Sequence, residues 1–270
     1  MQVICCIKQV PDTTQVKVDP VTGTLVREGV PFIMNPFDTH ALEESLRLKD
    51  RYGFRVAVIS MGPPNTEVTL RKALALGVDE AILLSDRAFG GADTLATSKV
   101  LAEGIKQLAQ KEEVAMVICG KQTIDGDTAQ VGPGIATRLG YSQLTLVDSI
   151  EGVDLSAKKV RVKRKLEGRH EVVESPLPAM ISVLREINQP RYPTVPLRLM
   201  AEDATVVLWD NNEVKLDVET IGLKGSPTQV RRIFSPERAK GEILGDGENN
   251  PEEAVDLLTD KLVEKDLLVI

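Results

Sequence analysis

The sequence predicts an α/β fold, a parallel sheet flanked by helices, with a C-terminal arm after it. Short apolar runs alternate with segments of helical periodicity across about the first 150 residues. The loops between them are short and punctuated by Gly, Pro, Asn and Asp. With 270 residues, 42% hydrophobic and 27% charged, the chain has the material for a sizeable core. Strand and helix alternating in this way imply right-handed crossovers and helices on both faces of the sheet.

Residues 3–10 make the first expected strand. Residues 36–52 read as a helix, with Asn35 as cap, Pro36 in the first turn and Gly53 at the end. A strand over 55–61 closes on Gly62-Pro63-Pro64, and a helix over 66–76 starts from an Asn65 cap and stops at Gly77. A strand at 81–84 leads into the loop 86–92, after which Asp93 caps a helix running toward Gln110. Residues 114–119 are the next strand, followed by the loop 120–126 and a helix from about Asp127 to Leu139.

Beyond Ile150 the pattern changes. Residues 159–166 and 170–174 read as a hairpin around Gly168, and 179–184 as a further strand. Pro190, Pro193 and Pro196 make 188–196 an extended, exposed loop. Residues 214–250 are rich in Gly, Pro and charge, and only 251–265 regain helical periodicity. Such a tail suits an arm laid over a partner, the alternative being a flexible end.

Charge and cysteine usage exclude several classes of function. A formal net charge of −7 argues against nucleic-acid binding, which draws on clustered Lys and Arg. No stretch approaches the ~18–20 apolar residues of a membrane span, and the opening strand-like run is already closed by Lys8, so a cytoplasmic or matrix-like protein without membrane insertion is expected. Cys5, Cys6 and Cys119 have neither CxxC nor metal-ligand spacing and read as reduced, buried thiols. Only His40 and His170 are available as histidines, and neither adjoins a Ser or Cys in a nucleophile motif, so no catalytic residue is assigned.

Two loops offer ligand-binding chemistry, since open parallel sheets bind ligands beyond the carboxyl ends of their strands. The first sets Gly90 and Gly91 just before a helix start, with Asp93, Thr94 and Thr97 around the first turn. Close backbone approach and the helix dipole would make it a phosphate cradle, the plainer alternative being a glycine turn with an Asp cap. The second holds Gln122, Thr123, Asp125, Gly126, Asp127, Thr128, Ala129, Gln130, Val131 and Gly132, a density of hydrogen-bonding groups suited to a nucleotide's sugar and phosphates. Neither loop is a Walker A or GxGxxG fingerprint.

Five blocks carry a family resemblance: Cys6-Ile7-Lys8-Gln9-Val10-Pro11-Asp12-Thr13, Met34-Asn35-Pro36-Phe37-Asp38, Ser60-Met61-Gly62-Pro63, the loop from Gly120 to Pro133, and Asn188-Gln189-Pro190-Arg191-Tyr192. In this order, and over nearly the whole chain, the sequence resembles the beta subunit of electron-transfer flavoproteins. The resemblance implies a nucleotide-binding α/β fold and a heterodimer with an alpha subunit that carries a flavin. It places Cys6, Asn35 to Asp38, Met61 and residues 123–134 around an adenine nucleotide. In mitochondrial-type members that nucleotide is AMP; in electron-bifurcating members it is a second FAD reduced by NADH. Residues 86–98 resemble the bifurcating members, which implies FAD and an NADH site, with an acyl-CoA dehydrogenase-type partner and ferredoxin or flavodoxin as acceptors.

The same resemblance makes 185–197 a partner-docking loop with Ile187, Pro190 and Tyr192, Ile187 standing where other members commonly have Leu. Met61 stands where mitochondrial-type members have Cys. The expected organisation is then a nucleotide-binding domain over 1–200, including a β extension at 150–184, and an arm with a terminal helix over 201–270. Competing readings are an AMP-holding, non-bifurcating subunit and a nucleotide sensor or adenylyl-transferring enzyme that works without flavin.

Overall fold

A computed structural model describes residues 1–12, 17–18, 25–26, 31–229 and 241–268. The chain forms two compact units, Met1–Arg232 and Ile233–Ile270. In the first unit the chain runs through β1 (Gln2–Cys6), β2 (Gln9–Pro11), β3 (Lys17–Val18), β4 (Leu25–Val26), β5 (Phe32–Met34), α1 (Pro36–Tyr52), β6 (Arg55–Met61), α2 (Glu67–Leu76), β7 (Glu80–Leu84) and α3 (Thr94–Lys111). It continues with β8 (Val114–Gly120), α4 (Val131–Leu139), β9 (Ser142–Asp154), β10 (Lys159–Leu166), β11 (Arg169–Pro176), β12 (Ala179–Val183), α5 (Val195–Asp203), β13 (Val206–Trp209) and α6 (Asn211–Val214). The second unit holds α7 (Pro251–Glu264).

The main sheet has nine strands in the order β11-β10-β9-β12-β8-β1-β6-β7-β13. From β9 to β13 every neighbouring pair is parallel, and β10 is antiparallel to both β9 and β11. The α/β architecture expected from the sequence is therefore present. Alternate residues of the central strands feed two separate cores. On one face Val3, Cys5, Val56, Val58 and Ile118 pack with Leu42, Leu46, Leu70 and Ala73 of α1 and α2. On the other, Ile4, Cys6, Ile59, Ile82 and Val117 pack with Val100, Ile105 and Ile135 of α3 and α4. Each fully buried aliphatic side chain contributes about 1.5–3 kcal/mol relative to exposure, so both faces hold the sheet.

Several boundaries differ from expectation for local reasons. The first strand stops at Cys6, because Lys8 N–H turns to a side chain, and Gln9–Pro11 pairs instead with β5. Asn35 and Asn65 make no side-chain cap; Asn35 uses its amide elsewhere, and Asn65 lies in a 3-10 turn at Pro64–Thr66. α4 begins at Val131 rather than near Asp127, since Asp127 and Ala129 lie at φ 52° and 55°, outside the helical region. Pro196 does not extend the irregular loop but sits in the first turn of α5, where its missing N–H costs nothing and Thr194 accepts from Leu197 N–H. The expected boundary after residue 200 falls inside α5, and β13 beyond it completes the sheet beside β7.

Candidate functional site

Because β9, β12, β8, β1, β6, β7 and β13 are parallel, their carboxyl ends share one edge of the sheet. From β1 the chain moves to β6 and β7 on one side, then crosses to β8 on the other side of β1. That reversal opens a crevice between the loops after β1 and β8, the place where α/β sheets hold ligands.

The start of α1 organises this crevice. Asp38, 4% exposed, accepts from Lys8 N–H through Oδ2 at 2.8 Å and from Gly120 N–H through Oδ1 at 3.0 Å. One carboxylate thus joins the two loops on either side of the reversal. Burial pushes its pKa up to about 7, against the opposing pull of the Asn35 side chain, the Lys8 and Gly120 N–H groups and the Lys8 charge. Asn35 is fully buried; its Nδ2 donates to Gln122 C=O at 2.9 Å and its Oδ1 accepts from Ile124 N–H at 3.3 Å. Phe37 backs Gly120 and lies under the Arg185 guanidinium at 4.4 Å.

From this base the loop 120–130 arches outward. Lys8 Nζ holds its tip through both oxygens of Asp125, at 2.8 and 2.7 Å. Gln122 Nε2 donates to Asp127 Oδ1 at 2.8 Å, and Thr94 Oγ1 donates to Gln130 Oε1 at 2.8 Å, tying the far end of the loop to α3. Asp127 N–H returns to Thr123 C=O at 2.9 Å. The left-handed conformations of Asp127 and Ala129 cost about 1–2 kcal/mol each for residues with a Cβ. They turn the chain so that exposed Asp127, Thr128 and Gln130 lead directly into the N-terminus of α4. Gly132 is buried there, with no room for a Cβ between Met180 Cε at 2.7 Å and Cys119 Sγ at 2.9 Å. Helix N-termini carry a partial positive charge, so amides, hydroxyls and a dipole converge here in a donor set that suits an anionic phosphate.

Cys6 and Cys119 are paired in register beneath the crevice, and both are buried. Met61 ends β6 and is partly exposed. The loop 86–93 lies toward the β7 side, and its glycines are taken up locally. Gly90 C=O accepts from Leu223 N–H at 2.9 Å, and a Cβ on Gly91 would stand 3.2 Å from Leu223 Cβ. Asp93 caps α3 through Ala96 N–H at 3.0 Å and also accepts from Thr228 N–H and Oγ1. Thr97 N–H stays in the first turn, bonded to Asp93 C=O. Thr94 is therefore the residue of this loop joined by a side-chain bond to the loop 120–130.

The segment after β12 is fixed on α1. Asn188 bonds His40 and Glu44, while Arg191 donates to buried Glu43 and to Asp50. Ile187, 9% exposed, packs into the core; Pro190 is partly buried, and Tyr192 projects at 90% exposure. A depression of ≈ 620 Å³ runs along α1, but its Glu43 and Arg191 neutralise each other, unlike the phosphate-suited groups of the loop 120–130. Sequence reasoning did not assign Lys8, although it stood inside a quoted block at the end of the first strand.

The family model for the electron transfer flavoprotein domain matches residues 22–214. The electron transfer flavoprotein subunit beta of Clostridium acetobutylicum is 49% identical over 245 residues, 90% of this chain and 92% of the relative. Protein FixA of Azotobacter vinelandii is 46% identical over 265 residues, 97% and 94% of the two chains. The Caffeyl-CoA reductase-Etf complex subunit CarD of Acetobacterium woodii is 46% identical over 269 residues, 99% of this chain and 100% of that protein.

Proposed function

Since the chain belongs to the electron transfer flavoprotein family as a beta subunit, we propose that it pairs with an alpha subunit and holds an FAD at the β1/β8 crevice. There it takes electrons from NADH and divides them between an acyl-CoA dehydrogenase-type partner and a low-potential acceptor, ferredoxin or flavodoxin. The observation that carries this reading is the loop 120–130. Buried Asn35 and Asp38 anchor it, Lys8 pins it, and left-handed Asp127 and Ala129 shape it into the start of α4. Backbone strain held in place by such anchors is characteristic of ligand sites.

A bound flavin supplies the redox chemistry, and the protein supplies binding, orientation and electrostatics. In this reading Asp127, Thr128, Gln130 and the amides opening α4 hold phosphate, and Asn35 and Asp38 keep the two loops at the right separation. Met61 and Cys6 contribute apolar surface. Thr94 joins α3 to the far end of the loop, with Gly90, Gly91, Asp93 and Thr97 shaping the adjoining wall. Tyr192 and Pro190 face the dehydrogenase, with Ile187 seating the loop from below.

One observation favours the smaller ligand AMP. Leu223 packs against Gly91, so the space beside this glycine is already filled. Acid release of nucleotides from the purified heterodimer decides between the two. Two FAD per heterodimer support the bifurcating reading, whereas one FAD with one AMP makes the protein a simple carrier. Asp127→Ala and Thr128→Ala are expected to lower occupancy at this site about tenfold and leave the alpha-subunit flavin bound. Full occupancy in both variants would remove the loop from the site.

A further inference from the structure

We infer that Asp38 is a positioning residue whose ionised carboxylate couples the two loops of the nucleotide site, so that nucleotide is held tightly only when Asp38 carries its charge. The inference rests on the nucleotide reading of the crevice and adds to it a pH-dependent control. Its basis is geometric. Each carboxylate oxygen receives one N–H, Lys8 from the loop after β1 and Gly120 from the end of β8. Both loops belong to the site, and they are joined a second time by Lys8 Nζ on Asp125.

Protonation removes one of the two acceptors. A carboxyl O–H oxygen facing an N–H is a poor partner, so either the Lys8 or the Gly120 contact weakens and the loops lose their common anchor. The groups facing Asp38 are Asn35 at the head of α1, Lys8 after β1, Cys5 and Cys6 of β1 and Cys119 of β8. Burial holds the three thiols in their neutral form, so they bring no counter-charge. The Lys8 ammonium is already engaged by Asp125. Asp38, its pKa pushed up to about 7, therefore changes charge near neutrality while the thiols stay neutral.

The test uses the heterodimer stripped of the nucleotide and FAD as probe, because its pyrophosphate keeps constant charge near neutrality. One proton with a midpoint near 7 gives FAD binding about tenfold tighter at pH ~8 than at pH ~6. Asp38→Asn is expected to bind weakly and without that dependence, and the same slope in this variant as in the native chain overturns the inference. Hydrogen exchange at the Lys8 and Gly120 amides supplies a readout that needs no ligand and, in the native chain, no variant. Protection at both should drop as pH falls through about 7, and pH-independent protection overturns the inference. Failure of FAD and AMP to bind at any pH, with the exchange still switching, would leave the Asp38 coupling standing and remove the nucleotide reading alone.

Discussion

Gly120 lacks a side chain because Asp38 and Phe37 occupy its place: a Cβ would stand 2.5 Å from both Asp38 Oδ1 and Phe37 Cβ. Gly120→Ala should therefore displace the loop 120–130 and destabilise the chain by about 1–3 kcal/mol in denaturant unfolding. Ser60 should behave in the opposite sense. Its Oγ is fully buried and unpartnered, so Ser60→Ala is expected to stabilise by about 1 kcal/mol, and a loss would point to a buried water. Asp38 sets a pH dependence whose sign follows from burial. Its folded pKa is raised from 3.8 to about 7, so the stability it lends is complete below the unfolded value and is lost as pH rises through about 7. The difference in unfolding free energy between the native chain and Asp38→Asn should shrink by a few kcal/mol over that window, and a flat difference would place the carboxyl in a wetter setting. Burial favours the neutral acid, while the two N–H donors favour the carboxylate; this residue sits where the two balance. Gln122 was legible as a site candidate because polar residues crowd its strand-to-helix loop, whereas Asn35 and Asp38 entered the site through the family resemblance, Asn35 reading locally as a helix cap. Lys8 was not legible, since a lysine at a strand end reads as solvated and its partner Asp125 lies 117 positions away.

Whole elements were legible where periodicity and punctuation agreed. α1 and β6 were read to the residue, and Gly53 ends α1 at φ 72° as a left-handed cap. β9 was missed because its burial mixes intermediate and buried positions without alternation, and its strand character comes from neighbours on both sides. β13 is only four residues long and is defined by pairing with β7. The late start of α4 follows from Asp127 and Ala129, whose conformation composition does not reveal. Replacing Ala129 by Gly relieves a left-handed Cβ and should stabilise the chain by up to about 1 kcal/mol; a destabilised variant would mean that the methyl packs usefully. Asp93 joins two elements, capping α3 and holding Thr228 and Ser226. Asp93→Ala should cost about 1–2 kcal/mol and raise hydrogen exchange over residues 221–228, an effect confined to that stretch and the first turn of α3.

For the molecule as a whole, the sequence conveyed the order of strands and helices but not where the sheet ends. The hairpin of the β extension was legible, β10 to the residue, but its cross-strand pairing was not: Arg161, Lys163 and Lys165 of β10 meet Glu151, Asp148 and Glu186, partners that become visible only in three dimensions. The unit Met1–Arg232 contains the complete nine-stranded sheet, so a chain cut after Arg232 should unfold in one cooperative step near the native midpoint. If the remainder is the partner-wrapping arm, the same cut weakens retention of the alpha subunit on a column. A broadened transition would instead make residues 233–270 part of the folding unit. The buried thiols have a use of their own. Cys5 and Cys6 lie on opposite faces of β1, and Cys119 is beside them on β8, all held neutral by burial. Cys6 and Cys119 keep 7% and 9% of their surface at the floor of the crevice, whereas Cys5 is fully buried, so an alkylating reagent meets Cys5 only when the middle of the sheet parts. The labelling rate of Cys5, on the α1 side, is therefore a built-in clock for opening of the sheet's centre, while Cys6 and Cys119, on the side of α3 and α4, report access to the crevice.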